Sequence, residues 1–254
     1  MKFILSTFLL LIASVPSFAE DINITADKQV EWHQKSQKIV ASGNAIATKG
    51  TMNIKSDTLT GYYTGSNEQS KGKIQRVVAL GNVRMHSPKA DALGDRLDYD
   101  IINDSAVLTG QPAKIKTNKE EIAAKENITY YPSKQEAVAL GNVEATDKEG
   151  NKIYADKMIA YFEKSATSKE GLELRKVNIF GNIKIVTPQA NVSAEKASYL
   201  PNKGLINLYN NVIINQQGNI LKGDRAETNL NSGISKLIAK DSKSKVKGVF
   251  KEKK

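Results

Sequence analysis

The sequence predicts an all-β protein, one continuous elongated domain made of repeated strand modules. Three observations predict it: a recurring Gly-Asn punctuation, an acidic marker sharing its period, and apolar alternation around the glycines. The punctuation stands at Gly43-Asn44-Ala45, Gly81-Asn82-Val83, Gly110-Gln111-Pro112, Gly141-Asn142-Val143, Gly181-Asn182-Ile183 and Asn210-Asn211-Val212. The intervals between first residues are 38, 29, 31, 40 and 29, an order that begins to repeat after the third step.

The acidic marker is Asp27, Asp57, Asp95, Glu126, Asp156, Glu195 and Asp224. In all but the last, an aromatic follows four or five positions later: Trp32, Tyr62, Tyr99, Tyr130, Tyr161 and Tyr199. Matching acids in the two halves lie 99, 99, 100 and 98 residues apart, and the Gly-Asn series gives 98, 100 and 100. Two independent markers with one period define a three-module unit carried twice, over about residues 21–120 and 121–220, with a partial seventh module closing the end.

Each module reads as strand. Around Gly81, alternation sets Val77, Ala79, Val83 and Met85 on one side. The same parity gives Ala137, Ala139, Val143 and Ala145 around Gly141, then Val177, Ile179, Ile183 and Ile185 around Gly181, and finally Val212 with Ile214. Apolar residues at helical spacing are absent over comparable windows, so helix content is expected to be low. A mid-strand glycine permits a bulge where a sheet bends, and the neighbouring asparagine tolerates unusual backbone angles. The acids break the alternation too, since Leu59, Leu97, Ile128, Met158 and Ala197 lie two positions beyond them. They are read as second bends, with carboxylates turned to solvent or to exposed backbone amides. Polar insertions at residues 63–73 and 163–170 read as exposed hairpin tips.

Composition narrows the class further. Lys2, the apolar run 3–15 and Ser17-Phe18-Ala19 form a secretory signal peptide over residues 1–19, and the run falls short of the ~20 residues of a spanning helix that would make it an uncleaved anchor. The absence of cysteine excludes thiol chemistry and Cys-ligated metals. Of the formal charge of +10, a basic tail at residues 236–254 carries +6 and Lys2 one more, which leaves +3 for residues 20–235. The tail is read as a flexible solvated segment, with phosphate or membrane-surface contact as the alternative. Nothing in the pattern favours nucleic acid.

Catalytic constellations fail one by one. His33 and His86 are the only histidines and do not stand at a metal-ligand spacing. Gly218 and Gly223 have phosphate-loop spacing, but Asp224 occupies the place of the lysine. The carboxylates are spread by the repeat and not gathered at one locality, so no enzyme, metal or cofactor is expected. A β-helical polysaccharide-active enzyme or a structural repeat protein of the envelope stays open as the alternative.

The strings ASGNAIAT, IKSDTLTGYY, VVALGNVRMHSP, AVALGNVEAT, IYADKMIAYF, VNIFGNIKIVTP and VSAEKASYL together resemble the OstA-like repeats of the LptA family of lipopolysaccharide transport. The resemblance covers nearly the whole mature sequence. It implies a β-jellyroll, slightly open along one side, in the periplasm between an inner-membrane LptC-like and an outer-membrane LptD-like domain. Its interior would shield the acyl chains of lipid A, with ATP hydrolysis elsewhere in the system.

On that footing, the lipid-contacting positions expected are Val77, Ala79, Val83, Met85, Ala139, Val143, Val177, Ile179, Ile183, Ile185, Val212 and Ile214. Whether they face an open groove or a closed core is left open by the sequence. Small residues such as Ala45, Ala47, Ala137, Ala139 and Ala145 on that side would underfill a closed core. An open jellyroll also exposes strand edges, and residues 22–30 and 226–237 are the docking edges expected for neighbouring domains or a head-to-tail homo-oligomer.

Overall fold

A computed structural model describes residues 22–65, 73–164, 172–229, 231–232, 234–239 and 245–249. The expected signal peptide and the tips of both polar insertions lie outside the described residues. The described chain is antiparallel β-sheet with one short 3-10 turn, Pro201–Lys203, so the all-β class expected from the sequence is the class observed.

By contacts, the chain divides into two compact units. One runs up to Asn118 and takes in Ala124–Ala137; the other comprises Lys119–Ala123 and everything from Val138 onward. The first unit contains β1 (Asn23–Thr25), β2 (Gln29–His33), β3 (Lys38–Lys49), β4 (Met52–Tyr63), β5 (Ile74–His86), β6 (Ala90–Asp100), β7 (Ser105–Thr109) and β8 (Ala113–Thr117). Strand β9 (Glu120–Ala124) lies mainly in the second unit and β10 (Asn127–Tyr131) in the first. The second unit continues with β11 (Glu136–Asp147), β12 (Lys152–Lys164), β13 (Leu172–Val186), β14 (Ala190–Leu200), β15 (Leu205–Gln216), β16 (Asn219–Asn229), β17 (Ile234–Ile238) and β18 (Lys247–Val249).

Pairing follows chain order. In the first unit β3, β4, β5 and β6 are neighbours. Strands β1 and β2 share the outer side of β3, β7 and β8 share the far side of β6, and β10 pairs with β7. In the second unit β9 pairs with β11, β12 to β16 run in succession, and β17 and β18 share the outer side of β16. The repeat is visible in the turns. Ser87 and Thr187, 100 residues apart, each close the same hairpin by accepting the Ala90 or Ala190 amide on the hydroxyl, at 3.1 and 3.0 Å.

The two sequence markers turn out to be halves of one device. At Gly43-Asn44, Gly81-Asn82, Gly141-Asn142, Gly181-Asn182 and Asn210-Asn211, both residues have positive φ. Register shifts flank Gly43-Asn44, Gly81-Asn82, Gly181-Asn182 and Asn210-Asn211, so the strand bulges there. Between β3 and β4, Gly43 and Asn44 together oppose the single residue Asp57. The carboxylates of Asp27, Asp57, Asp156 and Glu195 are at the solvent-exposed surface, as the sequence implied, but what they meet there is an asparagine side chain. Asn44, Asn82 and Asn182 donate their side-chain amides to Asp27, Asp57 and Asp156 at 2.7, 2.9 and 2.9 Å, and Asn211 donates to Glu195. Asparagine suits the place because it tolerates left-handed backbone and its short amide still reaches the next strand.

One member of the punctuation behaves differently. Gly110-Gln111-Pro112 is no mid-strand bulge but a turn between β7 and β8 containing a cis Gln111–Pro112 bond. Proline lacks the amide that a continuous ladder needs, which is why the strand breaks there. The tail also differs in part from a wholly flexible segment, since β17 takes in Lys236–Ile238 and β18 takes in Lys247–Val249.

The outer face of the first unit carries an ion triad. Arg76 Nε and Nη2 donate to Asp98 Oδ1 and Oδ2 at 2.7 and 2.6 Å, and Arg96 donates to the same carboxylate. The Arg76 hydrogen bonds, assisted by Arg96, hold Asp98 below the usual carboxylate range. A lowered folded pKa adds stability above the ordinary carboxylate range and loses it as pH falls through the folded value. Asp98→Asn should therefore lose about 1 kcal/mol near neutrality, the upper end for pairs whose arginines stay in water. The gap from wild type should close in acid, as read by urea midpoints across pH; a gap independent of pH would contradict it.

Candidate functional site

Directly paired residues on neighbouring antiparallel strands share a sheet face, so the register traces the interior row by row. One row of the first unit reads Val30, Ala41, Leu59, Ala79, Leu97, Leu108 and Ile128. A second reads Trp32, Ile39, Gly61, Val77, Tyr99, Ala106 and Tyr130. Beyond the bulges a third reads Ile24, Ala47, Ile54, Met85, Ala92 and Ile115.

The rows are graded. From Ala41 to Ile128 the first row is 0–6% exposed, yet Val30 at its end on β2 is 52% exposed. In the second row Ala106 and Tyr130 are buried, Ile39, Val77 and Tyr99 are half-buried, and Trp32 is 64% exposed. Met85, Ala92 and Ile115 are buried in the third row, while Ile24, Ala47 and Ile54 are only half-covered. The gradient follows position: among the described residues, β2 has its register partners on β3.

The second unit has the same construction. Ala160, Val177, Tyr199, Ile206, Thr228 and Ser235 form one row, and Met158, Ile179, Ala197, Leu208, Ala226 and Leu237 another. A third runs Ile153, Ile185, Val192, Ile214, Leu221 and Gly248. Burial is nearly complete on β12 and β13 and lessens toward β17 and β18, where Leu237 is half-covered and Ser235 and Gly248 are exposed.

Eleven of the twelve positions singled out in the sequence are buried: Ala79, Val83, Met85, Ala139, Val143, Val177, Ile179, Ile183, Ile185, Val212 and Ile214; Val77 is half-buried. Sequence reasoning passed over the accessible end of the same face, namely Ile24, Val30, Trp32, Ile39 and Tyr63. Val30 and Trp32 do alternate around Glu31, but no glycine follows them on their strand to anchor the parity.

Interior polarity is confined to few places. Tyr99 and Tyr130 share the face of Ala106, and burial, then the charge of Asp104, raises both phenols above their ordinary range. Tyr199 is raised by burial and by Glu120, itself a buried acid. Among the described residues, no group of three or more His, Cys, Asp or Glu side chains is placed to hold a metal ion.

With this geometry in view, comparison with known proteins is informative. The family described as LptA/(LptD N-terminal domain) LPS transport protein matches twice, over residues 23–136 and 126–234. The chain belongs to this family. The two matches to the LptA/LptD N-terminal family follow the internal repeat, one to each half. No curated protein matches the chain in sequence. Among solved structures, the chain is similar to LptH, the LptA-homologous periplasmic component of the lipopolysaccharide transport device from Pseudomonas aeruginosa. The identity is 11% over 92% of this chain and 96% of that one, with a TM-score of 0.23, too low to carry weight beside the family match. Membership places the chain among lipopolysaccharide transport proteins.

Proposed function

We propose that this protein is a periplasmic carrier that holds the acyl chains of lipid A against the graded apolar face of its sheet while lipopolysaccharide passes from inner to outer membrane. The observation that carries the reading is the gradient itself: one greasy face, closed at Ala79 and Val83 and open at Val30 and Trp32. A sealed core would have no reason to leave its large apolar residues uncovered at one end. Burying a methylene is worth about 0.8 kcal/mol, so several long chains cannot cross water unshielded.

The outermost strands supply the means of joining neighbouring domains. Exposed apolar side chains stand at both chain ends of the sheet: Ile22 and Val30 at one, Ile234, Ile238 and Val249 at the other. Strand edges with such residues are templates for further strands. The second docking edge lies on β17 and β18, one strand beyond the expected start at Ala226, because β16 is paired on both sides. In this reading the partners are LptC-like and LptD-like domains and further copies of the chain.

Site-specific photocrosslinking in cells making lipopolysaccharide tests the proposal. Probes at Val83, Val143 and Ile183 should capture the lipid, whereas probes at the outward Arg84 and Lys184 should not. Equal capture at both sets, or capture at neither, would reject an interior lipid path.

A further inference from the structure

The exposed end of the second interior row carries a feature that burial of a core does not require. Trp32 Nε1 donates a hydrogen bond to the Tyr63 hydroxyl at 2.6 Å. Trp32 on β2 and Tyr63 on β4 meet across β3, where Ile39 pairs with Trp32 on one side and with Gly61, two residues before Tyr63, on the other. Gly61 presents no side chain there, and a Cβ placed on it would meet only Ile74 Cδ1, at 3.8 Å. Tyr63 in turn sits opposite Ile74 on β5, and its amide is held by the Gln37 carbonyl at 3.0 Å.

We infer that the Trp32–Tyr63 pair is the mouth of the acyl-chain site, a hydrogen-bonded aromatic strap under or against which the first methylenes of a fatty chain lodge while its polar head stays in water. Three observations converge. First, the strap continues the row formed by Val77, Tyr99 and Ala106, so a chain entering there meets an unbroken apolar path. Second, a large indole 64% exposed on an interior face has surface to give to a ligand. Third, indole and phenol each join an apolar ring to a polar atom, the combination that settles where hydrocarbon meets water. An amphiphile fits such a boundary; a wholly polar sugar or a second protein strand would leave the ring faces or the two polar atoms unmatched.

The inference rests on the carrier reading and is tested so that the two can fail separately. Trp32 is the sole tryptophan, so its emission reports on the mouth without any substitution. Titration of the mature chain, residues 20–254, with lipid A should shift the emission to the blue and protect it from iodide. The deacylated phosphorylated disaccharide should do neither. Calorimetry, which does not depend on the indole, should show Trp32→Ala weakening lipid A binding about tenfold, the worth of one well-packed aromatic contact. Trp32→Phe should recover most of that loss.

Lipid A binding with unchanged Trp32 emission and unchanged Trp32→Ala affinity would overturn the mouth and leave the carrier standing. No lipid A binding by the wild-type chain would overturn both. An equal response to the deacylated sugar would move the contact to the headgroup, and an emission shift driven by protein concentration alone would make a second copy the occupant; either result overturns the assignment to a fatty chain.

Discussion

Gly181→Ala should destabilise the second unit by about 3 kcal/mol, near the top of the range for a residue forced into a sparsely populated backbone region. Gly181 has φ +73°, and a Cβ there would stand 2.1 Å from Asp156 Oδ2, the oxygen that accepts the Asn182 amide. The substitution therefore strains the backbone and drives the carboxylate out of its hydrogen bond at once. Gly81→Ala should behave alike in the first unit, where the new atom would lie 2.3 Å from Asp57 Oδ2. Gly150 provides the comparison: its φ is +79°, but nothing stands within 4 Å of the added atom. Gly150→Ala should cost only about 1 kcal/mol, the backbone contribution alone. Urea midpoints read the difference, and Asp156→Ala combined with Gly181→Ala should recover the steric part. If Gly181→Ala and Gly150→Ala proved equal, the coupling of the two markers would be wrong.

A comparably large loss is expected inside the sheet. Ile183 is 2% exposed, so Ile183→Ala should cost about 2–4 kcal/mol through lost burial and the cavity left behind. Ile213, on the opposite face of β15, is substantially exposed, and Ile213→Ala should stay within about 0.5 kcal/mol. Thermal and chemical denaturation distinguish them; matched losses would mean that the assignment of faces is mistaken. In the carrier reading, lipid A should raise the melting temperature of Ile183→Ala more than that of wild type, since a fatty chain can fill the vacated volume.

How far the fold was legible depended on the range of the information. Alternation around a glycine is local, and it put Val83, Val143, Ile183 and Val212 on the buried face without reference to any partner strand. The aromatic that follows each acid was less readable. Tyr99, Tyr130 and Tyr199, four residues beyond their acids, lie on the interior rows, whereas Tyr62 and Tyr161, five beyond, pair with Lys38 and Lys176 on the outer face. Trp32 is also five beyond its acid yet lies on the interior, because β2 aligns Val30 with Ala41. A spacing that differs by one residue reverses the face, and only register resolves it.

The sequence by itself determined the β class, the period near 99, the sites of the bends and the parity of the apolar face, because backbone sterics and side-chain alternation act within a few residues. Tertiary structure alone decided that Asn82 answers Asp57, 25 residues away, and Asn182 answers Asp156, 26 away. It also decided that the apolar face closes around β5 and opens at β2. Those outcomes depend on which strands stand side by side, and no local pattern encodes that.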